Sequence, residues 1–344
     1  MRRDLTGKIK ILLIRTDRLG EFVLTLPAFR AVRKRFRQAK IFVLAQPYTK
    51  EIIGRDPDID KVICYQPQTE KGFYRTLRLS YVLRKERFDL AIIFNPSKKF
   101  NIICFLAGIP KRVGYNRKWG FLLTDRIEDR KYLGRKHEIE YNLDLVRSIG
   151  IDGQERLSIH LREEDKQRVE KILKERGVDV QTEVLIAIHP FTSNPAKQWR
   201  IENFQSLARE IACWKGVRVL IIGGKEECWG RKYFLEDKVV NLIGELNLGE
   251  VASLLKKCRL LVSCDSGPVH LCAGVGTPVI VIFSHNIPEM IKRWRPWGEG
   301  HILIAKDDLV QVSVKEVAEK VRRLVDQEVE NESVDCLLLK NRKH

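Results

Sequence analysis

The sequence predicts an α/β protein made of two doubly wound halves, each a parallel sheet covered by helices. Short apolar strands alternate with helical stretches along the chain; the alternation breaks once, around 151–182, and then restarts. The strand segments read as near-continuous apolar runs, as expected of strands buried on both faces.

Lys8–Arg15 (KIKILLIR) is the first strand, and Thr16-Asp-Arg-Leu-Gly20 turns the chain, with Gly20 tightening the turn. A helix is expected from about Glu21 to Phe36, because Phe22, Leu26, Phe29, Val32 and Phe36 recur at roughly helical spacing. Strand Ile41–Ala45, a short helix around Tyr48–Ile53 and strand Lys61–Tyr65 follow. Residues 71–87 read as a basic helix, Asp89–Phe94 as a buried strand, and 98–107 and 137–149 as helices. Beyond the break comes a very polar helix, Glu163–Arg176. Strand Val184–His189, helix 202–213, strands Val217–Ile222 and Val239–Ile243, helix 249–257 and strand 259–264 then repeat the pattern. A short helix leads on to an apolar strand ending at Phe283. The expected domains are 1–160 and 161–330, with a charged tail 331–344 whose Cys336-Leu-Leu-Leu-Lys segment is apolar enough to pack back onto the body. Ligands are expected at the carboxyl ends of the strands, in a cleft between the halves.

Composition bounds the function. At 344 residues, 44% hydrophobic and 31% charged, the chain reads as soluble, and no apolar run reaches the roughly 18–20 residues of a membrane span. Its amino terminus lacks the apolar core of a secretory signal, which predicts a cytoplasmic location. Eight cysteines form no CxxC pair and read as reduced core thiols, with no metal site expected. The charge is lopsided. Residues 1–150 carry 33 basic and 16 acidic side chains, a net of +17, which leaves +1 for the remaining 194. An anionic partner for the first half follows: nucleic acid, an acidic membrane or a phosphorylated acceptor. A heavily charged surface suited to high temperature gives the same count.

Four segments carry candidate chemistry. Glu21, in the first turn after the first strand, is a carboxylate able to serve as general base toward a hydroxyl, although an acid there also simply suits the helix dipole. Thr192, Ser193 and Lys197 follow a strand end, a set suited to phosphate oxygens and to charge on a departing diphosphate. Gly223-Gly224-Lys-Glu226 offers an acid for ribose or adenine contacts. Asp265 is expected to cap the helix that opens with Ser266, Gly267 and Pro268, and the amides there suit an anion. His270 reads equally as a phosphate contact or a core histidine. Asp56-Pro-Asp58 has the DxD spacing of a metal site but the setting of a turn.

Together these segments resemble glycosyltransferase family 9, the ADP-heptose:lipopolysaccharide heptosyltransferases. The matches run in family order: Ile11 to Arg30 with Asp17-Arg-Leu-Gly20-Glu21; Ala107 to Tyr115, with His137 after it; His189-Pro-Phe-Thr192-Ser193 with Lys197-Gln-Trp199; and Leu242-Ile-Gly244 through Asp265-Ser-Gly-Pro-Val-His270 to Gly276-Thr-Pro278. The resemblance implies a GT-B fold, two Rossmann-like domains with the acceptor mostly on the first and the nucleotide sugar mostly on the second. It implies inverting transfer of a heptose from ADP-heptose to a phosphorylated, lipid-linked lipopolysaccharide core, without a cofactor, a required metal or nucleic acid. The acceptor places the enzyme peripherally on the cytoplasmic face of the inner membrane. Glu21 and Lys197 would be catalytic. Thr192, Ser193, Lys197, Glu226, Asp265, Ser266, Gly267 and His270 would hold the donor, and Arg18, Arg112 and His137 the acceptor. The family usually has Asp where this chain has Glu21. Transfer of another sugar, a nonenzymatic relative or a basic nucleic-acid-binding protein are the alternatives.

Overall fold

The computed structural model describes residues 9–54, 56–69, 72–154, 156–284 and 288–326, without the side chains of 288 and 289. The expected tail, 331–344 with Cys336, lies outside the described residues. The chain divides into two compact units, Met1–His160 with Glu289–Trp294, and Leu161–Pro288 with Arg295–His344.

The first unit holds a six-stranded parallel sheet. Its strands are β1 (Lys10–Ile14), β2 (Lys40–Ala45), β3 (Lys61–Cys64), β4 (Leu90–Ile93), β5 (Lys111–Tyr115) and β6 (Asp125–Ile127), in the order β3-β2-β1-β4-β5-β6. Ile14 of β1 stands level with Leu44 of β2 and Ile93 of β4, which fixes where the first strand ends. Helices α1 (Leu19–Val23), α2 (Leu26–Arg35), α3 (Lys50–Ile53), α4 (Phe73–Glu86), α5 (Lys98–Leu106) and α6 (Glu138–Arg147) connect the strands. On one side Leu12, Ile14, Leu44 and Ile93 pack against Leu83, Phe88, Phe100 and Ile103.

The second unit repeats the plan. After α7 (Glu163–Glu175) its strands are β7 (Val184–His189), β8 (Val217–Ile221), β9 (Val239–Asn241), β10 (Leu260–Cys264), β11 (Val279–Ser284) and β12 (Ile302–Lys306), in the order β12-β11-β10-β7-β8-β9, all parallel. Helices α8 (Ile201–Ala212), α9 (Leu248–Lys257), α10 (Gly267–Gly274), α11 (Pro288–Trp294) and α12 (314–326) complete it. Trp199 is fully buried against Phe204 and donates its ring N–H to the Val312 carbonyl at 3.0 Å, anchoring the loop after β7.

Strand order reverses between β1 and β4 in one sheet and between β7 and β10 in the other. At such a switch point neighbouring connections leave toward opposite faces of the sheet, so a crevice opens at the strands' carboxyl ends. Each sheet has one.

Two local expectations are corrected. The helix from Glu21 to Phe36 is two helices. Pro27 has no N–H to continue the ladder, and the break at Leu24–Thr25 is closed by Asn142 Nδ2, which donates to the Leu24 carbonyl (3.0 Å) and to Thr25 Oγ1 (3.2 Å). Gly20 is the second residue of α1 and is not a turn residue.

Candidate active site

Each switch point carries a polar cluster. At the end of β1, Arg15 turns into the unit and is buried, with its Nε 2.7 Å from Asp17 Oδ1. The loop is held from the neighbouring strand. Gln46 Nε2 donates to the carbonyls of Thr16 (2.9 Å) and Asp17 (2.7 Å), and the Tyr48 hydroxyl donates to the carbonyl of Asp17 at 3.1 Å. So placed, the loop delivers Glu21 to the first turn of α1, half-buried. Burial, and then the neighbouring Asp17 carboxylate, push the Glu21 carboxyl above its ordinary range, against the opposing pull of Arg15 and Arg18. Burial and the same two carboxylates push the Tyr48 phenol up to about 12.

Behind this loop lies a buried ion cluster. Glu138, fully buried, meets Lys131 Nζ at 2.6 Å, Arg15 Nη2 at 3.3 Å and Arg293 Nη2 at 2.8 Å. Burial works against its charge, but the three cations outweigh it and bring the carboxyl down to about 2. Lys131, desolvated and crowded by Arg15 and Arg293, falls to about 8 despite Glu138. No motif marks this cluster.

At the second switch point the loop after β7 and the loop after β10 meet. Lys197 Nζ bonds the Asp265 carboxylate, and Thr192 Oγ1 donates to the Asp265 carbonyl at 3.4 Å. Asp265 therefore does not cap α10. The residue at that cap is Ser266, and its side chain does not bond the helix amides either. Its hydroxyl lies 3.0 Å from Ser263 Oγ and 3.3 Å from His189 Nδ1. The first turn of α10, with Gly267 at its start, is thus left without a side-chain cap, which suits an anion. His270 is buried inside that helix.

Glu226 is exposed on the 3-10 segment Lys225–Tyr233. Its neighbour Glu227 turns inward, accepts the Gly224 N–H at 2.6 Å and stands 3.7 Å from His189 Nε2. The signal for it was a Glu three residues after the residue that opens the 3-10 segment, placed to reach back to that residue's N–H. Among the residues expected on the acceptor side, Arg18 is exposed. Arg112 donates to the carbonyls of Leu122 (2.8 Å) and Ile109 (2.5 Å), and buried His137 accepts the Ile139 N–H at the start of α6. Both are committed to holding backbone. Asp56 accepts the Asp58 N–H at 2.9 Å, the turn that the sequence suggested.

The sequence profile of glycosyltransferase family 9 (heptosyltransferase) matches residues 76–320. The chain belongs to glycosyltransferase family 9. A relative is lipopolysaccharide heptosyltransferase 2 of Salmonella typhimurium, 25% identical over 308 residues that cover 82% of this chain and 84% of that one. The crystal structure of a family 9 glycosyltransferase from Veillonella parvula superposes with a TM-score of 0.81 at 20% identity, covering 93% of this chain and 97% of that one. E. coli ADP-heptose lipopolysaccharide heptosyltransferase II gives 0.78 at 22% identity, covering 93% and 99%. This family 9 chain is a GT-B glycosyltransferase with two six-stranded parallel sheets. Among the described residues no helix is long and apolar enough to cross a membrane.

Proposed function

We propose that this enzyme transfers a heptose from ADP-heptose, with inversion, to a hydroxyl of a phosphorylated, lipid-linked lipopolysaccharide core. The observation that carries the reading is the second switch point, where Lys197 and the uncapped first turn of α10 converge in a family 9 chain. Such a pair suits a diphosphate: the lysine supplies point charge and the helix end supplies oriented amides. Thr192, Ser193, Ser266 and Gly267 line the same loops, and His270 supports them from within the helix. Asp265 keeps the ammonium in place while the site is empty of phosphate, and its carboxylate then serves sugar hydroxyls. Glu226 and Glu227 are the acids available to the nucleoside, and Glu227 also steadies His189.

Glu21 takes the acceptor hydroxyl's proton as its oxygen attacks the anomeric carbon. The bond from that carbon to the diphosphate oxygen breaks, and ADP leaves with the electron pair. Lys197 meets the charge that grows on it. Arg18, exposed beside Glu21, is the acceptor's phosphate contact. The acceptor is held at the inner leaflet's cytoplasmic face, where the net +17 of residues 1–150 meets anionic lipid.

The deciding test is calorimetric titration with ADP-heptose, ADP-glucose, GDP-mannose and UDP-glucose, repeated with Lys197→Ala. ADP-linked sugars should bind, and the substitution should weaken them by about 10- to 150-fold, the worth of one charged hydrogen bond. Preference for a GDP or UDP sugar would overturn the donor assignment and leave the fold untouched.

A further inference from the structure

We propose that the outer face of α4, with the adjoining end of α5, docks on a bilayer that carries anionic lipid. The proposal deepens the reading of a lipid-linked acceptor, on which it rests, by naming the surface that meets the lipid. Of the helix FYRTLRLSYVLRKE, Ser80 and Leu83 are the buried residues. Its aromatic residues face the other way: Phe73 and Tyr74 are each 77% exposed and Tyr81 is 59% exposed. At about 100° per residue, Phe73, Leu77, Tyr81 and Tyr74 form one strip, with Arg84 inside it and Lys85 and Arg78 along its flank. Lys85 Nζ lies 4.5 Å over the Tyr81 ring. The helix's one acid, Glu86, turns inward to Lys10 (3.1 Å) and Lys61 (3.0 Å), so the outer face carries cations and rings without a carboxylate of its own. The strip continues across a groove onto α5, where Phe105 and Leu106 are exposed.

Rings and aliphatic side chains interleaved with Lys and Arg are the pattern of a helix lying in a membrane interface, where the rings enter the headgroup layer and the cations stay with lipid phosphate. A nucleic-acid duplex satisfies the cations but leaves the apolar strip in water. A second copy packed symmetrically would bring the same cationic face against itself with no carboxylate of α4 to answer it. The helix also connects β3 to β4, so its amino end, with Phe73 and Tyr74, lies at the same edge of the sheet as the Glu21 loop. A lipid anchor at this face therefore ends on the side where the base is held.

Flotation of the full chain with vesicles tests the proposal, using phosphatidylcholine alone or mixed equally with phosphatidylglycerol. Two triple variants are compared, Phe73→Ser with Tyr74→Ser and Tyr81→Ser, and Arg78→Gln with Arg84→Gln and Lys85→Gln. The unaltered protein should partition onto the mixed vesicles and be released by salt. Each variant should lose about tenfold or more of that partitioning. ADP binding, measured on the same samples, should not change; it reports the second unit and so separates failure of docking from failure of the donor reading. If the aromatic variant loses ADP binding, Phe73→Ser alone replaces it. Variants that float like the unaltered protein overturn the proposal. So does loss, through the same substitutions, of an RNA oligomer's binding or of a dimer while vesicle binding persists.

Discussion

Burial at the amino end of α1, and then the nearby Asp17 carboxylate, both favour the protonated form of Glu21. A general base must be ionised, so in the proposed mechanism turnover rises as pH climbs through that elevated value. The same shift is a stability statement. A carboxyl whose folded pKa lies above its unfolded value contributes stability that is fully present below the unfolded pKa and is lost as pH rises through the folded one. Above the ordinary carboxylate range this raised Glu21 carboxyl is then a cost to the fold. Glu21→Gln should lower kcat by about 10²–10⁴-fold and raise the melting temperature at pH 7. Asp17→Asn removes the like charge and frees Arg15 to act on Glu21, so the acid limb of the kcat/KM profile should move to lower pH. A limb that stays in place would detach Glu21 from the rate. Glu21 could be found in the sequence because a strand end and a helix start mark its position. Asp17 acts on it from four residues away in the same loop, but Gln46 and Tyr48 hold that loop from the segment after β2, contacts which no local spacing records.

The strands that are buried on both faces announce themselves as apolar runs, and β7 and β10 were legible to within a residue. Strands β5, β6 and β12 were not foreseen. β5 opens with Lys111 and Arg112, while β6 (DRI) and β12 (ILIAK) sit at the sheet edges, half-exposed and short, so their side chains lack the period that gives a strand away. The cap of α6 was legible in part, since His137 was seen to open the helix, but what α6 carries inward was not. Glu138 gathers Arg15 from the loop after β1, Lys131 and Arg293, residues separated by up to 278 positions in sequence. Removing one partner of a buried cluster leaves uncompensated charge, so Glu138→Ala should cost about 3–5 kcal/mol in denaturant unfolding. Its folded pKa of about 2 lies below the ordinary 4.5, so its contribution is present above the ordinary value and lost as pH falls toward 2. The variant should therefore show a flatter acid limb of stability over that window. Equal acid sensitivity in both proteins would assign the loss to other carboxylates.

At the scale of the whole chain, the two sheets share one strand order but not one charge. Residues 1–150 hold nearly all of the net +18, and α4 turns part of that excess outward beside exposed rings. Two identical architectures so differently charged are expected to meet different partners. In the proposed reading a nucleotide sugar brings one diphosphate for Lys197 and the start of α10 to answer locally, whereas an anionic lipid surface bearing a phosphorylated saccharide would be answered by many cations at once. Salt separates these cases, because interactions between exposed charges fade beyond a screening length of about 8–10 Å at physiological ionic strength, while a partly buried pair is screened far less. With the acceptor presented in anionic vesicles, its KM should rise steeply as salt is increased from about 0.05 to 0.2 M, while the donor KM rises only slightly. An acceptor without lipid or phosphate should lose most of that dependence and leave kcat unchanged. A donor KM as steep in salt as the acceptor's would show that the charge asymmetry does not sort the substrates, and the first unit's basic surface would then need another partner.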